Sequence, residues 1–137
     1  MTRIERETAE HFAERYRIAP AEVSRQVELA VIGADWGANG YTTAAQADLL
    51  GRELALRPGV RVLDLGAGRG WPGLYLAATT GCQVVLSDVP IDGLRTAAAR
   101  AARETLRARP GLVAASARGL PFAPASFDAV VHTDVLC

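Results

Sequence analysis

Val62-Leu63-Asp64-Leu65-Gly66-Ala67-Gly68-Arg69-Gly70-Trp71-Pro72-Gly73 joins an apolar run to a glycine-rich turn and then to the opening of a helix. Doubly wound α/β domains build a nucleotide cradle from this succession, because glycines let the backbone bend sharply and approach a ligand closely. The spacing narrows the ligand. Gly66, Gly68 and Gly70 read G-x-G-x-G, and Trp71 stands where a dinucleotide fingerprint has its last glycine. That disfavours NAD and makes a nicotinamide-dependent oxidoreductase the weaker alternative.

Around this centre the chain alternates between strand and helix patterns. The spacing predicts strands near Arg61–Leu65, Gln83–Ser87, Leu112–Ala115 and Ala129–His132, with helices from Pro72 and over Ile91–Ala108. Alternation of this kind implies right-handed crossovers and a parallel sheet. Upstream, Thr43-Ala44-Ala45-Gln46 fits a capping box that opens a helix running to about Leu56. The stretch from Gly33 to Tyr41, with four glycine or asparagine positions at Gly33, Gly37, Asn39 and Gly40, reads as a flexible loop. Ile4, Thr8, Phe12 and Tyr16 recur at helical spacing, and a second helix is expected from Pro20, with Val23, Val27 and Val31 on one face and Gly33 ending it.

Composition sets outer limits. The 137 residues, half of them hydrophobic, suit one α/β unit with a real core. Fifteen basic residues balance fifteen acidic ones, so no net field draws nucleic acid or an anionic membrane, and a small-molecule substrate fits better than a polyanion. Cys82 and Cys137 make no disulfide framework, the charged start is no signal peptide, and no apolar run approaches membrane-spanning length. A cytoplasmic protein without a metal site is the expectation.

The glycine-rich segment resembles the first motif of the class I S-adenosylmethionine-dependent methyltransferases, in which an acidic residue precedes the glycines as Asp64 does. Val84-Val85-Leu86-Ser87-Asp88 is similar to the family's second strand, which ends in a carboxylate that holds the ribose hydroxyls. Leu120-Pro121-Phe122 with Ser126-Phe127-Asp128-Ala129-Val130-Val131 is similar to its approach to strand four. The resemblance covers about residue 41 to the end. It implies a Rossmann-like sheet of order 3-2-1-4, S-adenosyl-L-methionine as cofactor, and methyl transfer to an acceptor. Residues 1–40 would then be an N-terminal helical cap over the substrate side, or simply cover one face of the sheet, and 41–137 the cofactor domain. The family's domain normally has three more strands than the sequence shows. The chain is thus expected to be either a fragment of an enzyme, or a short cofactor-binding or partner protein whose fourth strand offers an apolar edge to an oligomer.

The resemblance also proposes a site. Gly66, Ala67, Gly68 and Gly70 would meet the methionine portion together with the N–H groups of the following helix. Asp64 would order the turn or meet the methionine ammonium. Asp88, with Val89 beside it, would accept from the ribose diol or else cap the next helix. Ser116 and Ala117 occupy the adenine-binding position, where the family often has a carboxylate; serine there lacks charge assistance. Arg118 reads as a solvated surface residue. Tyr41 would contact cofactor or pack in the core. His132, which with Asp134 follows strand four, is the one candidate catalytic base, if the acceptor must lose a proton and the histidine is not structural. Trp36 and Trp71 suit a pocket wall or the core.

Overall fold

The computed structural model describes residues 1–135. The elements are α1 (Arg3–Arg17), α2 (Glu22–Ile32), α3 (Ala44–Glu53), β1 (Arg61–Leu65), α4 (Gly73–Thr80), β2 (Gln83–Asp88), α5 (Ile91–Ala101), β3 (Gly111–Ala114) and β4 (Ala129–Val131). All strand pairs are parallel, in the order β3-β2-β1-β4, the order that the resemblance implies. Val62, Val84, Leu86 and Val131 join the core with Leu74, Leu76 and Leu94 of the helices that follow the strands. Leu63 pairs with Val130 in register on the opposite face, where Val130 is 53% exposed.

Local chemistry places the helix starts. Thr43 and Gln46 form the expected capping box at α3, and Thr2 with Glu5 forms a second one at α1. Gly33, with φ of 85°, ends α2 as a left-handed cap.

Three expectations change. First, α5 stops at Ala101 rather than Ala108. A helix running to Ala108 would be about 27 Å long, against about 20 Å for the strand it packs on. The chain must turn back sooner to enter β3. Second, the valine stripe of α2 faces solvent: Val23, Val27 and Val31 are 55–70% exposed. The helix is held by Ile32, which is buried in the core, and by polar contacts to the loop after it. Third, that loop is a packed segment. Glu28 accepts from the Trp36 and Ala38 N–H groups at 3.0 and 2.9 Å, Arg25 pairs with Asp35, and Ala34 and Gly37 are buried.

Candidate functional site

The glycine turn lies at the carboxyl end of β1, between β2 and β4, where ligands of open α/β sheets bind. Gly66 and Gly68 adopt φ of 74° and 52°, a region closed to most side chains. Their N–H groups are already engaged: Gly66 and Ala67 donate to the Ser87 carbonyl, and Gly68 donates to Asp88 Oδ2 at 2.7 Å. Asp88 Oδ1 accepts from the Val89 N–H at 2.7 Å. Asp88 does not cap α5, whose N-cap is Pro90 with no side-chain bond. Two N–H bonds leave lone pairs on an ionised carboxylate, and Asp88 lines the cavity described next. Burial raises its pKa, opposed by those two N–H groups.

A cavity of about 1290 Å³ opens over this floor. The turn from Gly66 to Arg69, the Asp88–Pro90 segment, the stretch around Ser116 and the residues after β4 form its lower walls, and α1 forms its roof. Tyr16 comes down from that roof, packs on Gly68 and Gly93 and is 8% exposed. Its phenol pKa is pushed up to about 12, first by burial and then by the Asp88 charge, so the hydroxyl stays neutral. Arg69 Nη2 donates to the carbonyls of Arg15 and Ile18 at 2.6 and 2.9 Å, capping the C-terminus of α1 from within the glycine turn. Arg17 pairs with Asp92, and Glu5 with Arg118 at 2.8 Å.

Gly66, Ala67, Gly68, Asp88, Val89, Ser116 and Tyr41 line the cavity together. Four expected residues do not. Asp64 lies beneath the turn, 1% exposed, with Oδ2 accepting from the Gly73 N–H at 2.9 Å. Of its two alternatives the turn-ordering one is realised, and it removes a helix-start N–H that was expected to face the ligand. Burial pushes its pKa up to about 7. Gly70 serves packing: a β-carbon there would meet Leu74 at 2.7 Å and Ala97 at 3.2 Å. Ala117 is exposed beside the cavity wall, and His132 is exposed and outside the lining, whereas Thr133, Asp134 and Val135 lie within it. Asp134 instead accepts from Tyr41 and Thr42 N–H groups and from Thr42 Oγ1, which fixes the loop entering α3. Trp71 does both jobs proposed for it: 6% exposed in the core, it also lines the cavity and donates to the Thr42 carbonyl. Trp36 packs edge-on against Tyr75.

Sequence reading missed Tyr16 as a site residue, and missed Arg69, Glu5 and Gly93. Only Gly93 carried a signal, as a glycine inside a helix that must have a packing reason. A β-carbon there would lie 2.5 Å from the Gly68 carbonyl oxygen and 2.9 Å from the Tyr16 ring.

A family model described as a methyltransferase domain matches residues 62–137, from the first strand through the fourth. The chain belongs to this class I methyltransferase family. The domain's sheet also matches solved structures. YjhP from E. coli aligns with a TM-score of 0.63 at 24% identity over 77% of this chain and 43% of that one. An S-adenosylmethionine-dependent methyltransferase from Thiobacillus denitrificans, in complex with S-adenosyl-L-homocysteine, aligns at 0.62 and 21% over 85% and 45%. The [4+2]-cyclase SpnF aligns at 0.59 and 27% over 82% and 49%. The methyltransferase domain thus spans less than half the length of these solved proteins. Among curated proteins none matches the chain. No helix among the described residues is long and apolar enough to cross a membrane.

Proposed function

We propose that this methyltransferase domain binds S-adenosyl-L-methionine in the cavity under α1 and forms the cofactor-holding part of an enzyme that methylates a small molecule. The observation that carries the reading is Asp88. Its carboxylate ends β2, is braced by the Gly68 and Val89 N–H groups, and still borders a cavity floored by side-chain-free backbone.

The residues fit the group. The remaining lone pairs of Asp88 suit a ribose diol, and Gly66 and Gly68, which carry no side chain but are covered by Val135 and Tyr16, give room for the methionine portion once those two side chains adjust. Arg15 brings positive charge to the same end of the cavity, and suits a carboxylate. When bound, the cofactor supplies a sulfonium methyl group that is transferred by in-line displacement. The protein then contributes alignment and exclusion of water, and the roof formed by α1 serves both. His132, exposed and outside the cavity, is not given a catalytic role. A small, largely apolar acceptor is supported by Phe12, Tyr41 and Val135 on the cavity wall and by the balanced charge of the chain.

Calorimetric titration of the folded domain with S-adenosyl-L-homocysteine tests the reading. One-to-one binding that S-adenosyl-L-methionine competes away and NAD does not is the expected result. A folded sample that takes up neither cofactor form overturns it.

A further inference from the structure

An amino acid, a ribose and a base follow one another linearly in S-adenosylmethionine. With the methionine portion at the turn after β1 and the diol at the end of β2, the base must continue toward the end of β3, since β3 flanks β2 on the side away from β1. The cavity does continue there, along Val89, Ser116 and Arg118, and Glu5 of α1 closes it from above. Ser116 is the weaker reader of the base: one lone pair of its Oγ takes the Arg118 N–H at 3.2 Å, and the other can accept only without the help of a charge.

Glu5 is held more firmly. Its Oε2 accepts from the Thr2 N–H in the capping box at 2.6 Å, and its Oε1 from Arg118 Nη1 at 2.8 Å. The Thr2 N–H, ahead of the Arg118 charge, keeps its pKa below the ordinary carboxylate value, so the group is ionised. Two bonds fix its direction and leave further acceptor capacity on a carboxylate that lines the cavity. Of the other described carboxylates on the cavity wall, Asp88 stands at the end of β2 and Asp134 follows β4.

We infer that Glu5, carried to the end of β3 by the N-terminal helix and oriented by Arg118, is the specificity-determining residue that accepts from the exocyclic amino group of the adenine. The inference rests on the proposed function. It also gives α1 a part in choosing the cofactor rather than only covering it.

An ionised carboxylate accepts only, so it favours a 6-amino purine and opposes a 6-oxo one. Affinities for S-adenosyl-L-homocysteine and S-inosyl-L-homocysteine, measured calorimetrically on the whole chain, therefore test it. The native domain should prefer the amino form by about tenfold or more, as befits a bond to a charged acceptor. Glu5→Gln keeps the capping box, since glutamine serves there as well as glutamate. With its one oxygen kept on the Thr2 N–H, the amide puts its NH2 where Glu5 accepts from Arg118 and offers the base no charged acceptor, so the preference should collapse to about threefold or less. Glu5→Ala should likewise abolish it, with circular dichroism showing that the helices remain. A native domain that binds both purines equally, or a Glu5→Gln variant that keeps the full preference, overturns the inference while leaving the proposed function standing. A native domain that binds neither overturns both.

Discussion

Asp88 Oδ2 receives the Gly68 N–H at 2.7 Å, so the carboxylate that ends one strand holds shut the turn that leaves its neighbour. Two functions thereby share one side chain. The oxygen pair sets the shape of the glycine turn from below and offers its outer lone pairs to the cavity. Ligand affinity and local stability should respond together when it is altered, but by different amounts.

Asp88→Asn makes this separable. Asparagine has one acceptor oxygen, so either the Gly68 or the Val89 N–H must face its NH2 group. The expected loss of stability is about 1–2 kcal/mol. Losing a charged acceptor for the ribose should raise the Kd for S-adenosyl-L-homocysteine by roughly ten- to a hundredfold. Urea unfolding and calorimetry on the same preparation read both quantities. An unchanged Kd would take Asp88 out of ribose binding.

Much of this was legible in the sequence, for physical reasons. Strand positions followed from apolar runs bounded by glycine and proline, and β1 occupies Arg61–Leu65 as read. The Thr43–Gln46 cap was legible because a capping box is made by residues three apart. The parallel sheet followed from strand–helix alternation, and the order 3-2-1-4 from the resemblance to the methyltransferase family. What escaped depends on distance through space. Nothing local in Arg69 tells that it reaches the carbonyls of Arg15 and Ile18, and nothing in Glu5 tells that it meets Arg118. The valines of α2 have a helix's spacing, but periodicity reports a face without saying what covers it. Asp64 was recognised as part of a motif, yet only burial distinguishes a residue that organises the turn from one that touches the ligand.

Asp64 predicts a pH dependence. Its folded pKa of about 7 lies above the ordinary carboxylate value of 3.8 because burial disfavours its charge. Between those values the folded state keeps a proton that the unfolded chain has released, so the unfolded state binds fewer protons and stability falls as pH rises. Across that window the native chain should lose on the order of a few kcal/mol relative to Asp64→Asn, which carries no charge to penalise. The two urea stability curves should converge toward pH 4 and separate up to about pH 7. Curves that stay parallel would mean that the Asp64 carboxylate is ionised in the folded state at little cost.

Gly93 tests the junction of α1, α5 and the glycine turn. Alanine is the better helix former by about 1 kcal/mol, so Gly93→Ala on an open helix face would stabilise. Here its methyl would press on the Gly68 carbonyl and the Tyr16 ring. Overpacking of about 1–3 kcal/mol should exceed the propensity gain. Gly119→Ala, with nothing within 4 Å of its β-carbon, is the control and should change stability little. Urea midpoints decide it, and a Gly93→Ala variant more stable than the native chain would show that the junction yields freely.

Arg69 ties the roof to the floor. Its guanidinium donates to the Arg15 and Ile18 carbonyls at the end of α1 and lies 5.7 Å over the Tyr16 ring, while its backbone sits between two glycines of the turn. Arg69→Ala removes the cap and the ring contact together. Hydrogen bonds from a charged donor contribute about 1.5–3 kcal/mol each when well sheltered, and this side chain is half-buried. Amide hydrogen exchange in α1 should therefore quicken by about tenfold or more, while β1 and β2 keep their protection because their ladders are untouched. Exchange that quickens equally across the sheet would make Arg69 a general stabiliser. Exchange unchanged in α1 would show that the Arg17–Asp92 and Glu5–Arg118 pairs hold the roof without it.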